Sequence, residues 1–187
     1  MIDYVVSDLH LGHGNIIDLC SRPFDTVEEM DDTLITNWNT KVSEDDTVLF
    51  LGDLAWGETR EQKEYLERLN GDIIFVSGNH DSLTMNTEDC IPIYEALDFE
   101  VSGIQFYATH YPEDMPNVRW LLHGHVHNNE MTEYPLYNPN DNRLNLSIEM
   151  IGYEPLEMEE IISIIKNENQ TLYTISFLII EMISSIS

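Results

Sequence analysis

Apolar and polar positions fall in short blocks along the chain, and the period of the blocks keeps changing. Ile2 to Ser7 is a brief apolar, β-branched run closed by turn residues, which predicts a buried strand. Asn15 to Cys20 predicts a helical turn that must stop before Pro23. From Thr26 to Lys41 the spacing becomes helical, with Val27, Met30, Leu34, Ile35 and Trp38 on one face. Thr26 and Glu29 stand at capping-box spacing at its start. Thr47 to Leu51 predicts a second strand, and Thr59 to Leu69 a second amphipathic helix with Tyr65, Leu66 and Leu69 inward. Asn70-Gly71 supplies that helix's exit, and Ile73 to Ser77 predicts a third strand. Strands alternating with helices point to an α/β sheet, parallel at least at its start.

From Ile91 onward the pattern is strand-rich. Leu97 to Ser102 and Ile104 to Thr109 predict a hairpin turning at Gly103, and Val118 to Leu122 and Leu144 to Met150 predict further strands. Asn128 to Arg143 is polar and rich in Asn and Pro, which predicts a surface loop. Leu156 to Lys166 predicts a closing helix. No repeat or linker marks a second domain. Residues 1–168 are expected to form one domain, with residues 169–187 as an extension of unassigned role.

The chemistry-bearing residues sit where the apolar runs stop. All 7 histidines lie in short motifs that follow such a run. Asp8, His10 and His13 follow the first strand, Asp53 the second, and Asn79 and His80 the third. His110 follows the run Ile104 to Ala108, and His123, His125 and His127 follow Trp120 to Leu122. In open α/β sheets ligands bind beyond the carboxyl ends of the strands, so these residues are expected to converge on one rim. Imidazole suits borderline metals, and carboxylate and amide oxygens complete such shells. Mixed N and O donors without thiolate favour Mn, Fe or Zn over Ca.

Composition excludes some partners. Against 35 acidic residues stand 8 basic ones, for a formal charge of −27. Proteins that grip nucleic-acid backbones do so with arrays of Lys and Arg, and this chain has no basic tract, so long duplex DNA is a poor partner. Cys20 and Cys90 lack metal-type spacing and cannot form a disulfide framework. A strand pattern begins at Ile2 with no basic leader before it, so the expected location is the cytoplasm. The tail contains the apolar stretch Ile175 to Ile180, interrupted by Glu181 and too short for a membrane span. An added strand or a contact in a homodimer is the expectation there.

Asp8-Leu9-His10, Gly52-Asp53, Gly78-Asn79-His80-Asp81, Thr109-His110 and Gly124-His125-Val126-His127 occur in the order of the motifs of calcineurin-like metallophosphoesterases. The chain resembles that family over roughly residues 1 to 166. It is closest to the small members carrying Ser-Asp-x-His-x-Gly-His-x-Asn, matched by Ser7 to Asn15. The resemblance implies a four-layer αββα sandwich of two mixed sheets flanked by helices. It implies two divalent metal ions, with Asp8, His10, Asp53 and His127 on the first, and Asp53, Asn79, His110 and His125 on the second. Asp53 would bridge them. It implies hydrolysis of small phosphodiesters or phosphomonoesters by a metal-bridging hydroxide, with Mn the expected metal and Fe or Zn the alternatives.

By the same resemblance His80 would protonate the leaving-group oxygen, with Asp81 available to orient its ring. His123 is expected to support the ligands rather than bind metal. His13 is open between substrate contact and a structural role. Arg22 is open between a substrate phosphate and a surface ion pair. After Asp53 the chain reads Leu54-Ala55-Trp56-Gly57, without the Arg of the protein-phosphatase branch. The alternatives are a nuclease acting on short single strands and a metal-binding scaffold without catalysis.

Overall fold

A computed structural model describes residues 1–82, 93–113 and 119–166. The first sheet grows from strands that are apolar on both faces, as parallel strands covered on both sides must be. β1 (Tyr4–Val6), β2 (Thr47–Phe50), β3 (Asp72–Val76) and β4 (Ile93–Tyr94) run parallel, and β10 (Leu156–Glu157) pairs antiparallel with β1. Val5, Val6, Val48, Leu49, Phe50, Phe75 and Val76 are completely buried.

The second sheet has the order β5 (Ala96–Val101), β6 (Ile104–Thr109), β7 (Trp120–His123), β9 (Arg143–Asn145), β8 (Tyr137–Asn138). Its first two strands form the expected hairpin. Ser102 and Gly103 at its tip have φ of 53° and 77°, as a two-residue turn matched to strand twist requires. Pairing is parallel from β6 through β7 to β9, so this sheet too is mixed.

Helices flank the sheets: α1 (Asn15–Leu19), α2 (Val27–Lys41), α3 (Thr59–Leu66) and α4 (Met158–Lys166). The architecture is the expected α/β sandwich of two mixed sheets. Thr26 caps α2 by accepting from the Glu29 N–H at 3.2 Å, and Met30, Leu34, Ile35 and Trp38 bury its inner face. Trp38 approaches Phe50 of β2 and donates its indole N–H to the Asn70 carbonyl at 2.9 Å.

Several boundaries differ from expectation. α3 stops at Leu66, and its completely buried residue is Gln62, a polar position that the apolar pattern passes over. The expected strand over Leu144 to Met150 divides into β9, a single bridge at Ser147 and a 3-10 turn at Ile148–Met150. Leu156 and Glu157 belong to β10 rather than to the last helix, and the loop over Asn128 to Arg143 contains β8. For β8 and β10, strand pairing overrides local preference. Cys90, Val118 and the tail beyond residue 166 lie outside the described residues.

The two sheets meet at the carboxyl end of β1. Ser7 donates its N–H to the Leu146 carbonyl and accepts from Ile148 N–H, both at 3.0 Å. Beyond it, Asp8 N–H bonds the Gly52 carbonyl, His10 N–H the Asp53 carbonyl, and Leu11 N–H the Leu54 carbonyl. The loops after β1 and β2 therefore run side by side.

Candidate metal centre

Seven of the expected ligands converge on this rim, delivered by strand ends of both sheets. Asp8, His10, Asp53 and Asn79 come from the first sheet, and His110, His125 and His127 from the second. Asp8, Asp53, His10, His110 and His127 are buried, His125 is half-buried and Asn79 exposed. Asp8 (φ 61°), His10 (52°), Asp53 (60°), His125 (72°) and His127 (51°) all adopt left-handed backbone. They are five of the nine non-glycine residues with positive φ among the described residues. Each costs about 1–3 kcal/mol, and such strain collects at functional sites.

Glycines make the close approaches possible. A Cβ on Gly78 would overlap Asp53 Oδ1, and one on Gly124 would overlap the side chains of Ser7 and Asp8. The glycine before Asn79 and the glycine before His125 are therefore part of the site.

The donor atoms form two groups that share one carboxylate oxygen. Asp53 Oδ2 lies 3.4 Å from His10 Nε2 and 3.4 Å from His110 Nε2. On one side His10 Nε2 and His127 Nε2 stand 4.0 and 3.8 Å from Asp8 Oδ1. On the other, His110 Nε2 meets Asn79 Oδ1 and His125 Nδ1, each at 3.2 Å. Atoms of Asp8, His10 and His127, and of Asp8, Asp53 and His110, lie within 4.8 Å of one another. His10 Nε2 is buried with no hydrogen-bond partner, and a cation would satisfy it. Nitrogen and oxygen donors with no thiolate turned to the shared oxygen fit a borderline divalent ion.

Surrounding groups fix the ring orientations. His127 Nδ1 faces the Glu149 carboxylate at 3.1 and 3.2 Å, leaving Nε2 turned toward Asp8. Burial pushes the His127 pKa down, but its contacts with Cys20, Glu149 and Asp8 lift it to about 11. Burial would raise Glu149, whereas His127 and Arg22 bring it to about 2. His110 Nδ1 faces the Leu51 carbonyl at 2.8 Å, which directs its Nε2 at Asp53. Burial opposes ionisation of Asp53, but His10 and His110 hold its carboxyl well below the usual range.

Two residues, Arg22 and Asp81, occupy positions other than those expected. Arg22 is buried rather than on the surface. Its Nε and Nη2 engage Glu149, its Nη2 also bonds the Asp8 carbonyl, and its Nη1 bonds the Leu9 carbonyl at 2.7 Å and Met30 Sδ. Every N–H of the fork is occupied, so Arg22 braces the first motif instead of offering a grip on phosphate. Asp81 accepts from the N–H groups of Asp53, Leu54 and Gly78 at 2.7–2.9 Å. Both its oxygens are committed to backbone, so it holds the Asp53 loop rather than orienting the His80 ring. His123 is completely buried, with Nδ1 on the Gly124 carbonyl at 2.9 Å, and burial lowers its pKa to about 4.

His80 and His13 line the open side. The exposed His80 donates its backbone N–H to Asp53 Oδ1 at 2.9 Å, and its ring centroid lies 5.3 Å from that of His10. His13 lies 5.4 Å from His10, and burial followed by neighbouring His10 and His80 lowers its pKa to about 4. Two buttresses escaped the sequence reading. Glu149 left one signal, a lone acid among Leu146, Ile148 and Ile151, and Gln62 left none.

The sequence profile of calcineurin-like phosphoesterases matches residues 4–146. An uncharacterised protein of Methanocaldococcus jannaschii is 39% identical over 168 residues, covering 87% of this chain and 90% of that protein. The gene 66 protein of Mycobacterium phage L5 is 28% identical over 160 residues, covering 66% of this chain and 76% of that protein. Among solved structures, a protein of unknown function from Aquifex aeolicus superposes with a TM-score of 0.66 at 27% identity, covering 86% of this chain and 97% of that one.

Proposed function

This chain belongs to the calcineurin-like phosphoesterase family, and on that premise we propose that it is a cytoplasmic hydrolase of small phosphodiesters or phosphomonoesters. It would work with two divalent ions, Mn first, with Fe or Zn as alternatives. One observation carries the reading: a single oxygen, Asp53 Oδ2, stands 3.4 Å from an imidazole nitrogen of each donor group. That is the arrangement a carboxylate needs to hold two cations close together. When bound, such a pair activates a water and draws charge from the phosphoryl oxygens.

The chain's own residues supply the rest. Asp8, His10 and His127 with Asp53 would hold one ion, and Asn79, His110 and His125 with Asp53 the other. Imidazoles ligate a cation only as neutral rings, so His127 would give up its proton on binding, and the rings with the Asn79 amide would add no negative charge to a site that attracts an anionic ester. His80, exposed above His10, is the proton donor to the departing oxygen as the P–O bond breaks. Its N–H bond to Asp53 Oδ1 ties the acid to the bridging carboxylate. Small esters suit the −27 charge, because a long polyanion would be repelled while one phosphate is held locally.

The test is a panel of phosphomonoesters, phosphodiesters, cyclic nucleotides and oligonucleotides assayed on purified protein with Mn, Fe or Zn. Metal-dependent release of phosphate or alcohol from small esters is expected. No turnover of any ester with any of these metals overturns the reading and leaves a metal-binding scaffold. Preference for oligonucleotides moves it to a nuclease.

A further inference from the structure

Among the described residues three aromatic side chains are exposed, Trp56, Tyr94 and Tyr111, and two of them flank the donor groups. Tyr111 meets His110 and His125 edge-on, with ring centroids 5.0 and 4.8 Å away. Trp56 is the larger and more open, 51% exposed. Its indole stacks on His13 at 4.3 Å and 18° between planes, and its centroid is 5.5 Å from that of His80. His80 in turn lies 5.3 Å from His10. Neighbouring rings thus connect the exposed Trp56 through His80 to the buried His10 among the donor atoms, with His13 stacked on the indole.

The backbone beneath Trp56 is pinned on several sides. Its N–H donates to the Leu11 carbonyl at 2.8 Å, on the loop that carries His10 and His13. The buried Gln62 amide donates to the carbonyls of Ala55 at 2.8 Å and Gly57 at 3.3 Å, on either side of Trp56, and to that of His80 at 2.9 Å. Gln62 Oε1 accepts from Ser82 N–H at 2.8 Å. One buried side chain therefore registers the Trp56 loop against the His80 loop. A lone exposed tryptophan is unremarkable on a surface. One held in fixed register to the proposed proton donor is a preorganised contact.

The order of rings also says which part of the substrate Trp56 would meet. His80 faces the departing oxygen, so Trp56 faces the departing alcohol. In a nucleoside ester one sugar separates the phosphate from the base, much as one imidazole separates Trp56 from His10.

We propose that Trp56, backed by His13, is a stacking platform for the leaving group, and that the substrates are phosphate esters of nucleosides rather than of aliphatic alcohols. The proposal rests on the phosphoesterase reading above and adds the substrate class to it. An indole face accepts any base, so the platform selects for a planar ring and not for one nucleobase.

The test compares a dinucleoside monophosphate with glycerophosphocholine on the Mn-loaded wild type, Trp56→Ala and Trp56→Phe. Wild type is expected to prefer the nucleoside ester. Trp56→Ala is expected to cut the ratio of kcat/KM for nucleoside over glycerol ester on the order of 10-fold, chiefly through KM. Trp56→Phe is expected to recover most of it. An unchanged ratio in Trp56→Ala overturns the proposal. A second readout needs no turnover: free adenosine is expected to quench tryptophan emission in wild type and to lose that quench in Trp56→Ala. If wild type turns over neither of these two diesters, the full ester panel decides the phosphoesterase reading. The adenosine titration then decides the platform alone, Trp56-dependent quenching supporting it and its absence ending it.

Discussion

His127 and His125 stand two residues apart on one loop, yet they enter different surroundings. His127 is 8% exposed and backed by Glu149, whose carboxylate is in turn gripped by the buried Arg22. His125 is half-buried, and its partner Asn79 is exposed. The half of the centre around Asp8, His10 and His127 is thus sheathed and braced through side chains. The half around His110, His125 and Asn79 opens to solvent, with one deep ligand, His110, steadied by a backbone carbonyl. The difference teaches that, with two ions bound as proposed, the sheathed half is expected to hold its ion more firmly than the open half. A braced ligand loses less freedom on binding metal and keeps its ring turned inward.

The largest blow to this asymmetry would fall on the shared oxygen. Asp53→Asn removes the charge common to both halves and is expected to cost both ions and all measurable turnover, read by elemental metal analysis beside the ester assay. Loss of one ion alone would mean that the halves are held independently.

Next in size, His80→Ala is expected to keep both ions and lose about 10²–10⁴-fold in rate on esters with alkoxide leaving groups. It should lose much less on p-nitrophenyl esters, whose phenolate departs without a proton. Equal losses would assign His80 to binding. A lost ion would put it among the props of the braced half.

Glu149→Gln addresses the brace itself. Affinity at the sheathed half is expected to fall about 10–100-fold, while the open half keeps its ion. Stability should drop by about 3 kcal/mol, because Arg22 becomes a buried charge without its counterion. Adding Arg22→Met should recover part of that stability, limited by the Asp8 and Leu9 carbonyls it leaves without a donor, and should not recover the metal. Titration with Mn followed by calorimetry separates the two effects, and equal weakening of both halves would dissolve the comparison.

The smallest expected effect concerns Asp31 of α2, which accepts from Gly12 N–H at 2.9 Å and Tyr65 O–H at 2.7 Å beneath the braced half. Burial raises its pKa above the ordinary 3.8, against the pull of those two donors. A carboxyl raised by folding contributes most below its unfolded pKa and loses that contribution as pH climbs through the folded value. Asp31→Asn should therefore gain on wild type as pH rises from about 3.8, by well under the cost of a buried charge. Urea midpoints between pH 3.5 and 7 would read this, and parallel curves for the two proteins would contradict it.

The convergence on one rim was legible in sequence because each candidate ligand follows a strand, and strand periodicity and residue chemistry are both local signals. Asp8, Asp53 and Asn79 could be ordered along one edge before any contact was known. What supports them was not legible. Arg22 read as a phosphate contact or a surface ion pair because burial of a guanidinium depends on Glu149, which lies 127 positions away. Asp81 follows His80 directly and so read as its partner, yet its carboxylate turns to the backbone of Asp53, Leu54 and Gly78. Gln62 sits on a helix whose apolar pattern points elsewhere, and its role appears only once the Ala55 and His80 loops are brought together.

The division of ligands between the sheets has a bearing on how the chain opens. Asp8, His10, Asp53 and Asn79 leave one sheet, His110, His125 and His127 the other, and Gly124 presses against Ser7 and Asp8 where they join. Ions held there would be rivets across a seam, bound by the assembled molecule and by neither sheet alone. They should raise the free energy of separating the sheets while leaving fraying within each sheet untouched. Hydrogen exchange with and without Mn would then slow most at amides spanning the seam, Ser7 and Ile148 first, and least at the β5–β6 hairpin.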